Sequence, residues 1–225
     1  MIKIKRKPFQ EIQRIIEPYA RVLNVACGGC ASVCLGGGQK EAKILNAELE
    51  LASESVQQHK QLDVYTVERA CNMQYLRELE SREPSFDCII SMACSAGVQL
   101  LAEKFPHKPV FPVINTIAIG VDRDVGLYQE VCRACGDCVI GYTGGLCPIT
   151  RCAKSLFNGP CGGTNQGMCE INPDIPCVWH QIYERLKQQN RLQDMLKIEP
   201  CMEWRNQTQR TVVQAGYEDR FAAEK

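Results

Sequence analysis

RVLNVACGGCASVCLGGGQKEAKILNAELEL, residues 21–51, is the stretch whose reading decides the fold. A short apolar run over residues 21–27 gives way to a loop rich in glycine and cysteine. Ala42, Leu45, Leu49 and Leu51 then recur at helical spacing. Strand, loop and helix therefore follow one another. The same alternation continues outward: residues 63–71 (DVYTVERAC) read as a second strand before a helical MQYLRELESR. Residues 86–94 (FDCIISMAC) read as a third before GVQLLAEKF, and residues 111–120 (FPVINTIAIG) as a fourth. Strands alternating with helical segments of about ten residues predict right-handed βαβ units around a parallel sheet, a Rossmann-like α/β arrangement. Upstream, a basic arm precedes Ile12, Ile15, Ile16 and Tyr19, which lie on one face of an amphipathic helix.

In an open parallel sheet the loops leaving the carboxyl ends of the strands share one edge. Cys27, Cys71 and Cys94 each end a proposed strand, so they are expected to converge there. Cys30 and Cys34 join them from the first loop, where i and i+4 share a helical face. Cys27-x2-Cys30-x3-Cys34 needs one more ligand to hold a cluster, and Cys94 or Cys71 supplies it. Cys94 is favoured because Gly97 follows it and lets backbone approach closely. A dinucleotide reading of this glycine-rich loop fits poorly. Gly28, Gly29, Gly36, Gly37 and Gly38 do not form G-x-G-x-x-G, and three cysteines stand where phosphate would lie. Cys88, inside a strand, reads as an ordinary buried thiol.

Residues 132–177 hold eight of the fifteen cysteines within forty-six residues. Cys132, Cys135 and Cys138, followed by Cys147-Pro148, repeat the C-x2-C-x2-C and C-P elements by which ferredoxins hold iron-sulfur clusters, with eight residues between the third and fourth cysteines. Gly136, Gly141, Gly144, Gly145, Gly159, Gly162 and Gly163 let the backbone wrap a cluster and aim N–H groups at sulfur. Two other readings stand beside this one. A disulfide framework would need an oxidising compartment, and the opening MIKIKRKPFQEIQRII has no apolar core of a secretory signal, so a cytoplasmic location is expected. A zinc ribbon also uses paired C-x2-C units. His59, His107 and His180 stand beside no cysteine pair in zinc-finger spacing.

Twenty-six basic and twenty-six acidic residues leave no net charge, so nothing points to nucleic acid, and no apolar run approaches a membrane span. The segment VDRDVGLYQEV joins sheet to cysteine-rich module. The expected division is an α/β domain over 1–120, a metal-binding module with a covering helix over 121–204, and a polar tail over 205–225. In the covering helix Trp179, Ile182, Leu186, Leu192 and Leu196 form the apolar face. Cys201, beyond it, is not expected to be a ligand. Glu68 and Asp137 sit beside cysteines, where a carboxylate more often tunes charge than moves a proton.

CGGCASVCLGGG in the first half, with TGGLCPITRCAK, NGPCGG and CVWHQIYERLK in the second, resembles the methylenetetrahydrofolate reductase C-terminal domain family over residues 21–204. The resemblance implies the small cysteine-rich partner of an acetogen-type methylenetetrahydrofolate reductase, beside a flavin-containing barrel subunit that binds the folate. That places it in one-carbon metabolism of the Wood-Ljungdahl kind. It implies two 4Fe-4S clusters, with zinc as an alternative metal, flavin in the partner and not here, and a further protein as electron donor. One family cluster corresponds to Cys27, Cys30, Cys34 and Cys94, with Cys71 as competitor. The other begins at Cys132, Cys135 and Cys138. Cys147, Cys152, Cys161, Cys169 and Cys177 match the family's remaining cysteines, and the resemblance does not divide them between a second cluster and a third metal. The implied role is electron transfer to the flavin, without catalysis by this chain alone. A zinc-stabilised scaffold that presents a surface to a partner is the competing expectation.

Overall fold

The computed structural model describes residues 1–202 and 211–224, with side chains described through residue 221. The chain divides into two compact units, residues 1–130 and 131–225. The expected start of the tail at residue 205 lies outside the described residues.

The first unit is built on β2 (Arg21–Cys27), which is buried at every position after Arg21. Alternation is absent because both faces of the strand are covered, as a central parallel strand requires. β3 (Gln61–Val67) and β4 (Cys88–Met92) flank it in parallel, and β5 (Val110–Pro112) adds to β4, giving the order β3-β2-β4-β5. Pro112 sits on the edge strand, where its missing N–H costs no ladder bond. Cys27 pairs with Val67 and Ala26 with Met92, so the carboxyl ends of β3, β2 and β4 are flush.

Helix α1 (Phe9–Ile16) buries Ile12 and Ile16. Its orphan C-terminal carbonyls are met by the Lys60 ammonium, which donates to the carbonyls of Ile16 at 3.1 Å, Glu17 at 2.9 Å and Tyr19 at 2.7 Å. α2 (Cys30–Val33) is a single turn, and α3 (Gln39–Ser55) is the crossover between β2 and β3. α3 buries Ala42, Leu45, Asn46, Leu49 and Ser53. Leu51, expected on that face, is 68% exposed. It follows Leu49 by two residues, about 200° around a helix of 3.6 residues per turn, and so points to solvent. Asn46 meets Asn24 of β2 inside the core, where the Asn24 amide donates to Asn46 Oδ1 at 2.9 Å. α4 (Met73–Leu76) and α5 (Ser95–Lys104) follow β3 and β4.

A second sheet was not anticipated. β1 (Ile2–Arg6), β6 (Ile114–Asp124) and β7 (Leu127–Cys132) pair in the order β1-β6-β7, with β1 antiparallel to β6. The run over residues 111–120 therefore splits between two sheets. The expected joining segment is a hairpin, turned at Gly126 with φ of 77°. Gly120, where a domain boundary was expected, lies inside β6 against the Gln129 carbonyl, too close to admit a Cβ.

The second unit holds little regular structure: α6 (Pro148–Arg151) and α7 (Val178–Gln188). α7 buries Val178, Trp179, Ile182 and Leu186 against Leu146. Leu192 and Leu196 do not continue that face; they are 39% and 82% exposed. Asn190 takes φ of 55° and the Arg191 amide donates back to the Leu186 carbonyl at 2.8 Å, a C-terminal cap that ends the helical register before they are reached.

Candidate metal-binding cysteines

All fifteen cysteines are free thiols. In the first unit Cys27 terminates β2, buried, its amide accepted by the Gly37 carbonyl at 3.0 Å. Cys94 is the N-cap residue of α5, and the next amide, that of Ser95, donates to Thr116 Oγ1 at 2.8 Å. Cys71 follows Ala70, and Ala70 packs against Gly97 so closely that a Cβ there would stand 2.8 Å from the Ala70 and Ala93 methyl groups. Gly97 does permit a close approach beside Cys94, and what approaches is the loop that carries Cys71.

Most of Cys71 is exposed, yet partial desolvation of its sulfur raises its pKa first, followed by the negative charges that Cys94 and Cys27 would carry. Only Cys27 ends a strand: β3 stops at Val67 and β4 at Met92, so Cys71 lies in the loop after β3 and Cys94 begins α5, both on the carboxyl side of the sheet. Cys30 opens α2, exposed.

Cys34 is placed differently. α2 stops at Val33, and Cys34 is its C-cap residue. Its buried thiol donates to the Ile2 carbonyl of β1 at 3.1 Å, and its own carbonyl accepts from the Tyr128 hydroxyl at 2.7 Å. Burial above all pushes the thiol up, opposed by the Lys3 ammonium. Lys3 is itself buried, paired with Asp122 and stacked 4.2 Å from the centre of the Tyr128 ring. Cys88 lies fully buried in β4, and desolvation pushes its thiol to about 12, which marks it as inert. Glu68 accepts from the Tyr75 hydroxyl at 3.0 Å.

In the second unit the cysteines sort themselves by what they pack against. Cys132 ends β7, and its sulfur accepts the Ala134 amide at 3.4 Å. Ala134 and Gly136 take φ of 51° and 96°, turning the backbone tightly between Cys132, Cys135 and Cys138. Cys135 and Cys147 both pack on the buried group Val139, Ile149 and Met202. Cys147 caps the start of α6, and Cys152 stands at its end.

Cys152 and Cys177 pack instead on the α7 cluster. They line one small cavity together with Cys161 and Cys169. At its rim Cys161 donates to Glu170 Oε1 at 3.5 Å, and its sulfur accepts the Gly163 amide at 3.4 Å. Glu170 is held below the usual carboxylate range by the Lys154 ammonium first and by Cys161 second.

Among the described residues no three His, Cys, Asp or Glu side chains are gathered into a group that would hold a metal ion as they stand. The donor chemistry nonetheless fits thiolate-bound metal. The thiols are free, several lie side by side, and backbone N–H groups already point at Cys132 and Cys161. The histidines take no part: His107 meets Glu83 at 3.2 Å, and the His180 ring lies beside Gly167. Cys201 is exposed. No described helix is long and apolar enough to cross a membrane.

No curated protein and no solved structure matches the chain. A family model does match it, over β6, β7 and the cysteine-rich loops of the second unit. Residues 111–205, somewhat under half of the chain, match the model of the family described as "Methylene-tetrahydrofolate reductase C terminal".

Proposed function

We propose that this chain is the iron-sulfur electron-transfer subunit of a methylenetetrahydrofolate reductase complex, working beside a flavin-containing subunit that reduces the folate. The observation that carries the reading is the placement of Cys27, Cys71 and Cys94 at or just beyond the carboxyl ends of the adjacent parallel strands β2, β3 and β4, from three stretches far apart in sequence. Core packing alone gives no reason to place three thiols on the loops of one sheet edge. Cys30, from the same loop as Cys27, completes four donors. Cys132, Cys135, Cys138 and Cys147 form the second set, joined by the shared packing of Cys135 and Cys147.

Iron-sulfur clusters, when bound, would pass electrons singly to a flavin that delivers a hydride. The chain's own part is to hold and bias them. Thiolates supply the ligands, and N–H donors such as that of Ala134 stabilise negative charge on sulfur. The tight turn at Gly136 wraps the ligand loop. The chemical step is assigned to the flavin-containing partner, because hydride delivery is flavin chemistry.

The test is electron delivery. Anaerobically purified chain, reduced with dithionite and freed of excess reductant, should reduce the flavin of a purified methylenetetrahydrofolate reductase flavoprotein. The chain alone should show no turnover of methylenetetrahydrofolate. Turnover by the chain alone, or a flavin left oxidised, would contradict the proposal.

A further inference from the structure

We propose that Cys152, Cys161, Cys169 and Cys177 form a separate site for one divalent ion, Zn2+ by its ligand chemistry, that staples the second unit and carries no electrons. Three observations support it. The first is size. The four cysteines line a cavity of about 20 Å3, room for roughly one water-sized sphere. A single ion bound to four sulfurs at about 2.3 Å suits such a space. A 4Fe-4S cube brings eight atoms and would have to spread the walls.

The second observation is how firmly those walls are tied. The Asn165 and Met168 amides donate to each other's carbonyls at 3.0 and 2.8 Å. The Cys169 amide donates to the Ile175 carbonyl at 2.8 Å, and that of Cys177 to the Gly167 carbonyl at 2.8 Å. This narrow hairpin sets Cys169 and Cys177 on one side. On the other, Cys152 is fixed by its amide bond to the Pro148 carbonyl at 2.9 Å. Trp179 seals the wall, its indole N–H donating to the Leu156 carbonyl at 3.0 Å. Closing a tetrahedral site on an ion therefore asks for movement of the four thiol side chains within walls that the backbone bonds hold. Four thiolates around a divalent ion leave a charge of about −2. Arg151 lines the same cavity and offsets part of it, while the Lys154 charge there is already met by Glu170.

The third observation is need. Among its described residues the second unit buries two small apolar groups, one of five residues and one of three. A unit with so small a core and so little regular structure is one that metals stabilise. The spacing agrees: eight, seven and seven residues intervene between successive cysteines of this set, without the C-x2-C steps of the 132–138 loop.

The inference is independent of the electron-transfer reading, and its test separates the two. The full chain, purified anaerobically from zinc-supplemented cells, is analysed for zinc, iron and acid-labile sulfide. Its Cys161→Ser and Cys169→Ser variants are treated alike. The expected result is one zinc per chain, lost in both variants while iron and sulfide stay at the wild-type level. Should a variant fail to fold, the wild type still answers. Zinc-stripped chain given Co2+ should develop the visible bands of a tetrathiolate site. Zinc-loaded chain should protect these four cysteines, and not Cys201, from iodoacetamide in peptide mapping. Zinc retained by both variants, iron and sulfide falling with the substitutions, or no tetrathiolate cobalt spectrum would overturn the proposal. An iron-free wild type that keeps its zinc would support it while contradicting the electron-transfer reading.

Discussion

Replacing Gly97 by valine should pull apart the sheet-edge thiols at a measurable cost. A Cβ at this position stands 2.8 Å from two methyl carbons and 3.3 Å from the Ala70 carbonyl carbon, against an ordinary contact of about 3.5–4.0 Å. Ala93 is fixed in the core at the end of β4, so the Ala70 loop must give way, by at least half an ångström for the Cβ and more for the two further methyls. Overpacking of this kind costs about 1–3 kcal/mol, and two simultaneous close contacts place it at the upper end. Valine regains less than about 0.5 kcal/mol over glycine in helix propensity, which leaves a net loss of about 2 kcal/mol. Urea unfolding followed by circular dichroism reads that loss. Diamide oxidation followed by peptide mapping should show the Cys71–Cys94 disulfide forming more slowly in the variant than in wild type. A variant within 0.5 kcal/mol of wild type (about a third of a tenfold change in the equilibrium) with unchanged cross-linking would refute the claim that Gly97 seats Cys71.

Three further outcomes are expected. Cys71→Ser should lower iron content at the sheet edge, whereas Cys34→Ser should keep it, because the Cys34 thiol is committed to the Ile2 carbonyl; iron and sulfide assays of the two variants decide between them. Ile182→Ala should destabilise the second unit by about 2–5 kcal/mol, since the side chain is fully buried in a cluster of only five residues; limited proteolysis of residues 131–225 reads it. Cys88, its thiol pushed to about 12 by burial, should stay unalkylated at pH 8 until the chain unfolds, as mass spectrometry of iodoacetamide-treated protein would show.

The parallel sheet was legible because β2 is buried on both faces and so reads as an apolar run, Val22 to Cys27, interrupted only by Asn24. The second sheet was hidden by Lys3. A lysine in a basic arm reads as solvated, but this one is buried, its charge met by Asp122 from a strand 119 residues away, a pairing that local sequence does not announce. The alternation of Ile2 and Ile4 was the available signal, and Gly126 marked the hairpin. Cys34 does sit one turn beyond Cys30, its amide donating to the Cys30 carbonyl, but its thiol also meets the Ile2 carbonyl of β1, a contact from a strand that local sequence does not announce. Cys71 joins Cys94 through the contact of Ala70 with Gly97, which is a matter of packing between α5 and a remote loop. In the second unit the spacing of eight cysteines marked thiolate chemistry without dividing it. Which apolar cluster each cysteine rests on is a property of the folded loops alone.

The measurement that bears most directly on the central claim is the electron paramagnetic resonance spectrum of anaerobically purified, dithionite-reduced chain, taken with its iron and acid-labile sulfide content. An electron carrier with cluster ligands at the sheet edge and in the 132–147 loop should be brown, hold about eight iron and eight sulfide, as two 4Fe-4S clusters require, and give the signals of reduced clusters. A colourless chain holding zinc and no iron, with no such signals, would contradict it.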